Sequence, residues 1–133
     1  MTAFVFTKEE RLKSRKVINR LFKEGQSFGQ YPLRLVWLVL EEPLSTTPVQ
    51  FSVSVPKKRF RRATVRNRIK RQIREAYRLN KNQLYDKLQI GQHQVVLMVI
   101  YTGKEALPYG DIENAMQQMI RRFIKKQRPT PKL

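Results

Sequence analysis

The stretch from Lys57 to Arg78, KKRFRRATVRNRIKRQIREAYR, carries eleven basic residues against one acid, Glu75. Arg66, Lys70, Arg74 and Arg78 recur at i, i+4 spacing, and each such like-charge pair costs an isolated helix roughly 0.2–0.5 kcal/mol. Beside that row, Val65, Ile69, Ile73 and Ala76–Tyr77 share one helical face. The stretch therefore holds a helix only if its apolar stripe is packed, and the rest of the chain must fold so as to cover it. Solvated helix faces usually mix signs, whereas this one does not, which points to a polyanionic partner.

The chain has 133 residues with 41% apolar, enough for a single packed domain over 1–133, with a flexible arm expected over 1–7 and a flexible tail over 127–133. Its formal net charge of +18 calls for nucleic acid before a membrane surface, because the basic residues adjoin no apolar anchor. Cysteine is absent, which removes disulfides and thiolate metal sites and fits a reducing cytoplasm. The apolar start, Ala3–Phe6, is too short for a signal-peptide core. Val95–Tyr101, the longest apolar run, falls far short of the about 20 residues that span a bilayer as a helix. A cytoplasmic protein with no membrane association is the expectation.

Along the chain, Phe4 and Phe6 are expected on the core, with Lys8, Arg11 and Lys13 solvated. Ser14 reads as the N-cap of a helix ending at Glu24, with Gly25 as its stop and Val17, Ile18, Leu21 and Phe22 as its apolar stripe. Gln26–Gln30 is a turn or short edge strand, and LRLVWLVL over Leu33–Leu40 is a strand. Val49–Val55 alternates, with Gln50, Ser52 and Ser54 on the polar side. The two strands read as an antiparallel hairpin. The polar side is either a plain solvated sheet face, which the pattern alone favours, or a floor for single-stranded RNA.

The basic helix begins near Ala63–Thr64, continues as a helical tail and connector over Asn80–Gln94, and meets a stop at Gly91. Val95–Tyr101, VVLMVIY, lacks polar alternation and should be a central strand buried on both faces. The last helix is expected from an Asp111 N-cap, with Ile112, Ala115, Met116, Met119, Ile120, Phe123 and Ile124 as core and Arg121, Arg122, Lys125 and Lys126 at its end. A frayed tail runs through Pro129 and Pro131. Helices on one small sheet make the fold class α+β.

Chemistry by the protein itself would need a carboxylate cluster, a base or an activated nucleophile. Ten acids are scattered along the chain, and His93 is the lone histidine, in a connector. No catalytic residue, metal-ligand spacing or phosphate-binding glycine loop stands out. The sequence offers a binding surface.

The run Phe60–Arg74, with its Arg66-Asn67-Arg68 core, resembles the signature of the bacterial ribonuclease P protein subunit. So does Ser54-Val55-Pro56-Lys57-Lys58 ahead of it. Arg11-Leu12-Lys13 before the first helix and Phe22-Lys23-x-Gly25 at its end extend the resemblance over nearly the whole chain. The resemblance implies an α-β-β-β-α-β-α order on a four-stranded sheet, with a left-handed crossover through the basic helix against the usual preference. It implies partnership with a catalytic RNA that uses bound magnesium to remove the 5′ leader of precursor tRNA, with no protein partner. Carried onto this chain, the RNA-binding positions are Lys57, Lys58, Arg59, Arg62, Arg66, Asn67, Arg68, Lys70, Arg71 and Arg74. The leader cleft falls on Ile18, Phe22, Val36 and Ser52. Of these only Phe22 keeps an aromatic ring, so the leader is expected to be held more by charge than by stacking, which is worth ~1–3 kcal/mol per base. A ribosomal or other structural RNA-binding protein is the alternative. A helix-turn-helix DNA regulator is disfavoured because a strand, not a helix, precedes the basic helix.

Overall fold

A computed structural model describes residues 6–88 and 94–127 of the chain. A 3-10 turn (Lys8–Glu10) leads into α1 (Arg15–Glu24), β1 (Gln26–Gln30), β2 (Leu33–Leu40), β3 (Val49–Ser54), α2 (Ala63–Lys87), β4 (Gln94–Tyr101) and α3 (Tyr109–Gln127). The α-β-β-β-α-β-α order is the one expected. Phe4, Gly91, His93, Pro129 and Pro131 lie outside the described residues.

The strands form one sheet in the order β1-β2-β4-β3. β4 takes the centre because it is apolar on both sides and only between two partners does it bury both. It runs antiparallel to β2, with Met98 opposite Val36, and parallel to β3, with Met98 opposite Ser52. The expected β2–β3 hairpin is therefore wrong: β4 is inserted between those strands. Their eight-residue link (41–48) has to cross the inserted strand, and α2 carries the chain from β3 to its parallel neighbour. The fully buried Gln94 side chain pins that link. It accepts from the Leu44 N–H at 2.8 Å and donates to Ser45 Oγ at 2.9 Å and Thr47 O at 2.7 Å.

One sheet face, with Leu35, Trp37, Phe51, Val53, Leu97, Val99 and Tyr101, packs on the stripes of α2 and α3. All seven expected core residues of α3 are buried there. The other face is covered only in part. Val17 and Leu21 of α1 lie on Val36, Leu40, Val96 and Met98, while Ser52 and Ser54 stay half-buried at the β3 side.

Ser14 caps α1, its Oγ accepting from the Val17 N–H at 3.2 Å. Gly25 does end the helix, but in extended backbone at φ −70° and not in the left-handed region. Its glycine is required by space: a Cβ there would stand 2.3 Å from Leu21 O and 2.9 Å from Trp37 O. α3 starts at Tyr109, directly after Pro108, so Asp111 sits inside its first turn and not at the N-cap. Its carboxylate still favours the positive end of the helix.

Phe6 packs on the core, as expected of it, and Thr7 is hydrogen-bonded to Glu10. The Phe6 ring meets Phe51 and Tyr77 edge-on at 6.0 and 5.9 Å, and those two rings stack at 3.8 Å. Arg11 bridges Phe51 in parallel and the Leu12 N–H donates to Phe51 O at 2.9 Å, which covers the outer edge of β3. Glu10 is 3% exposed. Its carboxylate accepts from Lys81 Nζ and Tyr85 OH, each at 2.5 Å, and from the Thr7 N–H at 2.8 Å. Tyr77 OH donates in turn to Tyr85 OH at 3.3 Å. Burial pushes both phenols above their ordinary range, so they stay protonated donors.

Burial by itself would raise the Glu10 pKa, but hydrogen bonds from Lys81, Tyr85 and Thr7 outweigh it and leave the group below its ordinary value. Glu10→Ala takes the counter-ion from the buried Lys81 ammonium and should lower the unfolding free energy by about 3–5 kcal/mol in urea denaturation. A lowered folded-state pKa stabilises the fold fully above the unfolded value, 4.5, and that stabilisation is lost as pH falls through the folded value. Stability measured from neutral pH down into the acid range should fall more steeply in the parent than in Glu10→Gln.

Candidate nucleic-acid interface

β3 ends at Ser54, and beyond Pro56 the chain turns, with the Arg59 and Phe60 N–H groups both donating to Pro56 O at 3.3 Å. Phe60 is buried edge-on against Tyr101 at 5.7 Å, which anchors the turn and leaves Lys57, Lys58 and Arg59 exposed above it. Arg59 Nη1 donates to Thr102 O at 2.8 Å. Arg66 straps the loop to the first turn of α2, its Nη1 donating to Phe60 O at 2.7 Å and Arg61 O at 2.9 Å. Arg66 is therefore half-buried and partly committed to the protein, a role the spacing alone did not disclose.

The i, i+4 row also differs from a single solvated line. At 100° per residue it drifts round the helix, and its burial varies: Arg66, Lys70 and Arg78 are half-buried while Arg74 is exposed. Arg62, Asn67, Arg68 and Arg71 are exposed as well. Asn67, Arg71, Arg74 and Arg78 line one groove with Phe6 and Arg11. The single acid there, Glu75, is bound by both ends of the Arg78 fork, Nε–Oε1 at 3.0 Å and Nη2–Oε2 at 2.7 Å. Partial enclosure of its guanidinium first, and the neighbouring Arg11 charge second, lower the Arg74 pKa, although the side chain as a whole stays exposed.

The four cleft positions are distributed unevenly. Val36 is buried beneath α1 and Ile18 packs half-buried on the same cluster. Phe22, one turn on, is 55% exposed, so its ring face is available. Ser52 sits two strands from Val36 in the row Ser52–Met98–Val36, about 10 Å away at the usual strand spacing. It lines a second groove with Arg11, Leu12, Lys13 and Arg74. The arrangement brings Ser52 to the basic surface, leaves Phe22 at the rim of α1, and covers Val36 with α1.

Arg11 and Lys13 were read as solvated and as part of the resemblance but not as site residues, and Glu10 and Lys81 were given no role. Thr7-Lys8-Glu9-Glu10 does carry a legible sign, the spacing at which an acid reaches back to a helix-capping residue. Nothing local marks Lys81 as its partner. Among the described residues no three His, Cys, Asp or Glu side chains lie together as metal ligands, and no helix is long and apolar enough to cross a membrane.

Arg71→Ala should lower the slope of log K against log salt for RNA binding by roughly 0.7–0.9 with the melting temperature unchanged. Arg66→Ala should lower the melting temperature as well, because two loop carbonyls lose their donor. A salt titration paired with thermal melts separates the two roles.

The family model described as Ribonuclease P matches residues 6–124. The ribonuclease P protein component of Porphyromonas gingivalis is 44% identical over 120 residues, covering 90% of this chain and 87% of that one. That of Chlorobaculum tepidum is 37% identical over 103 residues, covering 72% and 67%. The solved RNase P protein of Staphylococcus aureus superimposes with a TM-score of 0.67 at 21% identity, over 86% of this chain and 94% of that one. For the protein from Thermotoga maritima the TM-score is 0.64 at 24% identity, over 85% and 96%. The two structures share the fold, and the sequence matches carry the assignment: the chain belongs to the ribonuclease P protein family.

Proposed function

We propose that this chain docks on the catalytic RNA of ribonuclease P through the Lys57–Arg62 loop and α2, and guides the single-stranded 5′ leader of precursor tRNA past the polar side of β3. The endonucleolytic cut then frees the mature 5′ end. The observation that carries this reading is the exposed guanidinium face of α2, fixed by a buried stripe beside the half-open Ser52 and Ser54. Such a surface offsets the repulsion between two phosphate backbones brought together. Arg forks suit phosphate oxygens, and Asn67 suits sugar or base edges.

Magnesium chemistry is assigned to the RNA. Mg²⁺ takes several oxygen ligands, and the one carboxylate on this surface, Glu75, is engaged by Arg78. The protein residues here do not fit a magnesium site, so their contribution is position and charge.

Protein freed of RNA should leave precursor tRNA intact, whereas RNA subunit plus protein should yield the mature 5′ end; cleavage by the protein alone would overturn the reading. Phe22→Ala should weaken precursor binding by the holoenzyme roughly five- to tenfold, in line with loss of one stacked base, and leave mature tRNA binding unchanged. Equal losses for both would remove Phe22 from the leader path.

A further inference from the structure

Two grooves meet at three side chains. The α2 groove and the Ser52 groove are both lined by Phe6, Arg11 and Arg74. Arg11 belongs to neither the basic loop nor α2, yet its position is fixed. Its backbone bridges Phe51, and its guanidinium lies over the Phe6 ring at 5.4 Å from the centroid. Phe6 is itself wedged against Phe51 and Tyr77, and Glu10, next to Arg11, is tied to Lys81 on α2. Arg11 is thus presented to Arg74 by a braced segment and is not a freely moving surface cation.

Among the described residues, one acid faces the positive charge at this junction. Glu75 is the one acid lining either groove, and both its oxygens are bound by Arg78. Arg11, Arg71 and Arg74 remain as three guanidiniums from two separate elements facing one space. Bringing like charges together costs free energy that an oxyanion between them returns, and two forks approaching from different sides match the oxygens of a phosphodiester.

We propose that Arg11 and Arg74, with Arg71 beside them, form a seat for one RNA phosphodiester at the junction of the Ser52 groove and the α2 face. The proposal rests on the RNA-binding reading and adds to it a specific residue outside the basic helix. The phosphate comes from the leader strand leaving the Ser52 floor or from the RNA subunit against α2.

The test uses the reconstituted complex with Arg11→Gln, Arg74→Gln and the double variant. Protein affinity for the RNA subunit, and holoenzyme affinity for precursor and mature tRNA, are measured across a salt series. Each single substitution should weaken binding roughly tenfold in one arm and lower its salt slope by about 0.7. The double variant should bind no more than about twofold worse than the weaker single, because both forks hold one group. A loss confined to precursor tRNA assigns the phosphate to the leader, and a loss in subunit assembly assigns it to the catalytic RNA. Unchanged affinity for Arg11→Gln in every arm, or losses that add, would overturn the seat. Glutamine keeps part of the stem over Phe6, and melting temperatures report whether the segment stays docked. Arg74→Gln, on a face of α2 away from the core, probes the same seat without loosening that segment. Arg62→Gln separates the two readings: if it lowers the salt slope while Arg11→Gln does not, RNA binding stands and only the seat falls.

Discussion

The arginines of α2 repel one another, and the helix survives because its other side is buried. Ile69, Ile73, Ala76, Tyr77 and Leu84 are at most 1% exposed. Full burial of a large apolar side chain is worth about 1.5–3 kcal/mol, against roughly 0.2–0.5 kcal/mol lost per like-charge pair, so packing prevails several times over. The consequence reaches beyond stability. Because the sheet and α3 fix the backbone of α2, the cations project from a rigid rod, and a polyanion meets a charged surface whose backbone ordering has already been completed by folding.

The N-terminal segment extends that logic to the sheet edge. β3 is the outer strand, and its unpaired side would be a template for pairing with another chain. Residues 11 and 12 occupy it instead, while Phe6 closes the aromatic cluster above. One short stretch thereby blocks edge pairing and places a cation opposite α2. The buried Glu10–Lys81 pair needs all its hydrogen bonds to be tolerated, since desolvating two charges is expensive. Thr7 and Tyr85 supply the rest of the carboxylate's partners.

Much of the fold was legible because it depends on periodicity. The stripe of α3 and the unbroken apolar run of β4 each announced a burial pattern that the structure shows, and the alternation of β3 did so except at Gln50, which is buried and donates to Glu9 O. Adjacency was not legible. Alternation says which face of a strand is buried but not which strand lies beside it, so β2 and β3 were paired by nearness in sequence until β4 came between them. The basic surface divides the same way. Its residues were readable from charge and motif, yet Arg66 looked like its neighbours, and only the fold of the Phe60–Arg61 turn shows that it holds loop carbonyls. Val36 matched a cleft position by alignment to a motif, whereas the seating of α1 decides that it is covered. Arg11 was read as solvated because its partner surface lies on an element far along the chain.

That separation bears on how the protein is made. Glu10 and Lys81 are 71 residues apart. At ribosomal rates of about 5–20 residues per second, Glu10 emerges roughly 4–14 s before its counter-ion exists. During that interval β3 lacks the central strand that joins it to β1 and β2. A nascent chain cut short within α2 would already carry the cationic loop, but neither Tyr101, on which Phe60 anchors it, nor β4, which pairs the inner edge of β3. Selective grip on RNA, as distinct from mere attraction, therefore arises only once β4 and α3 have been made.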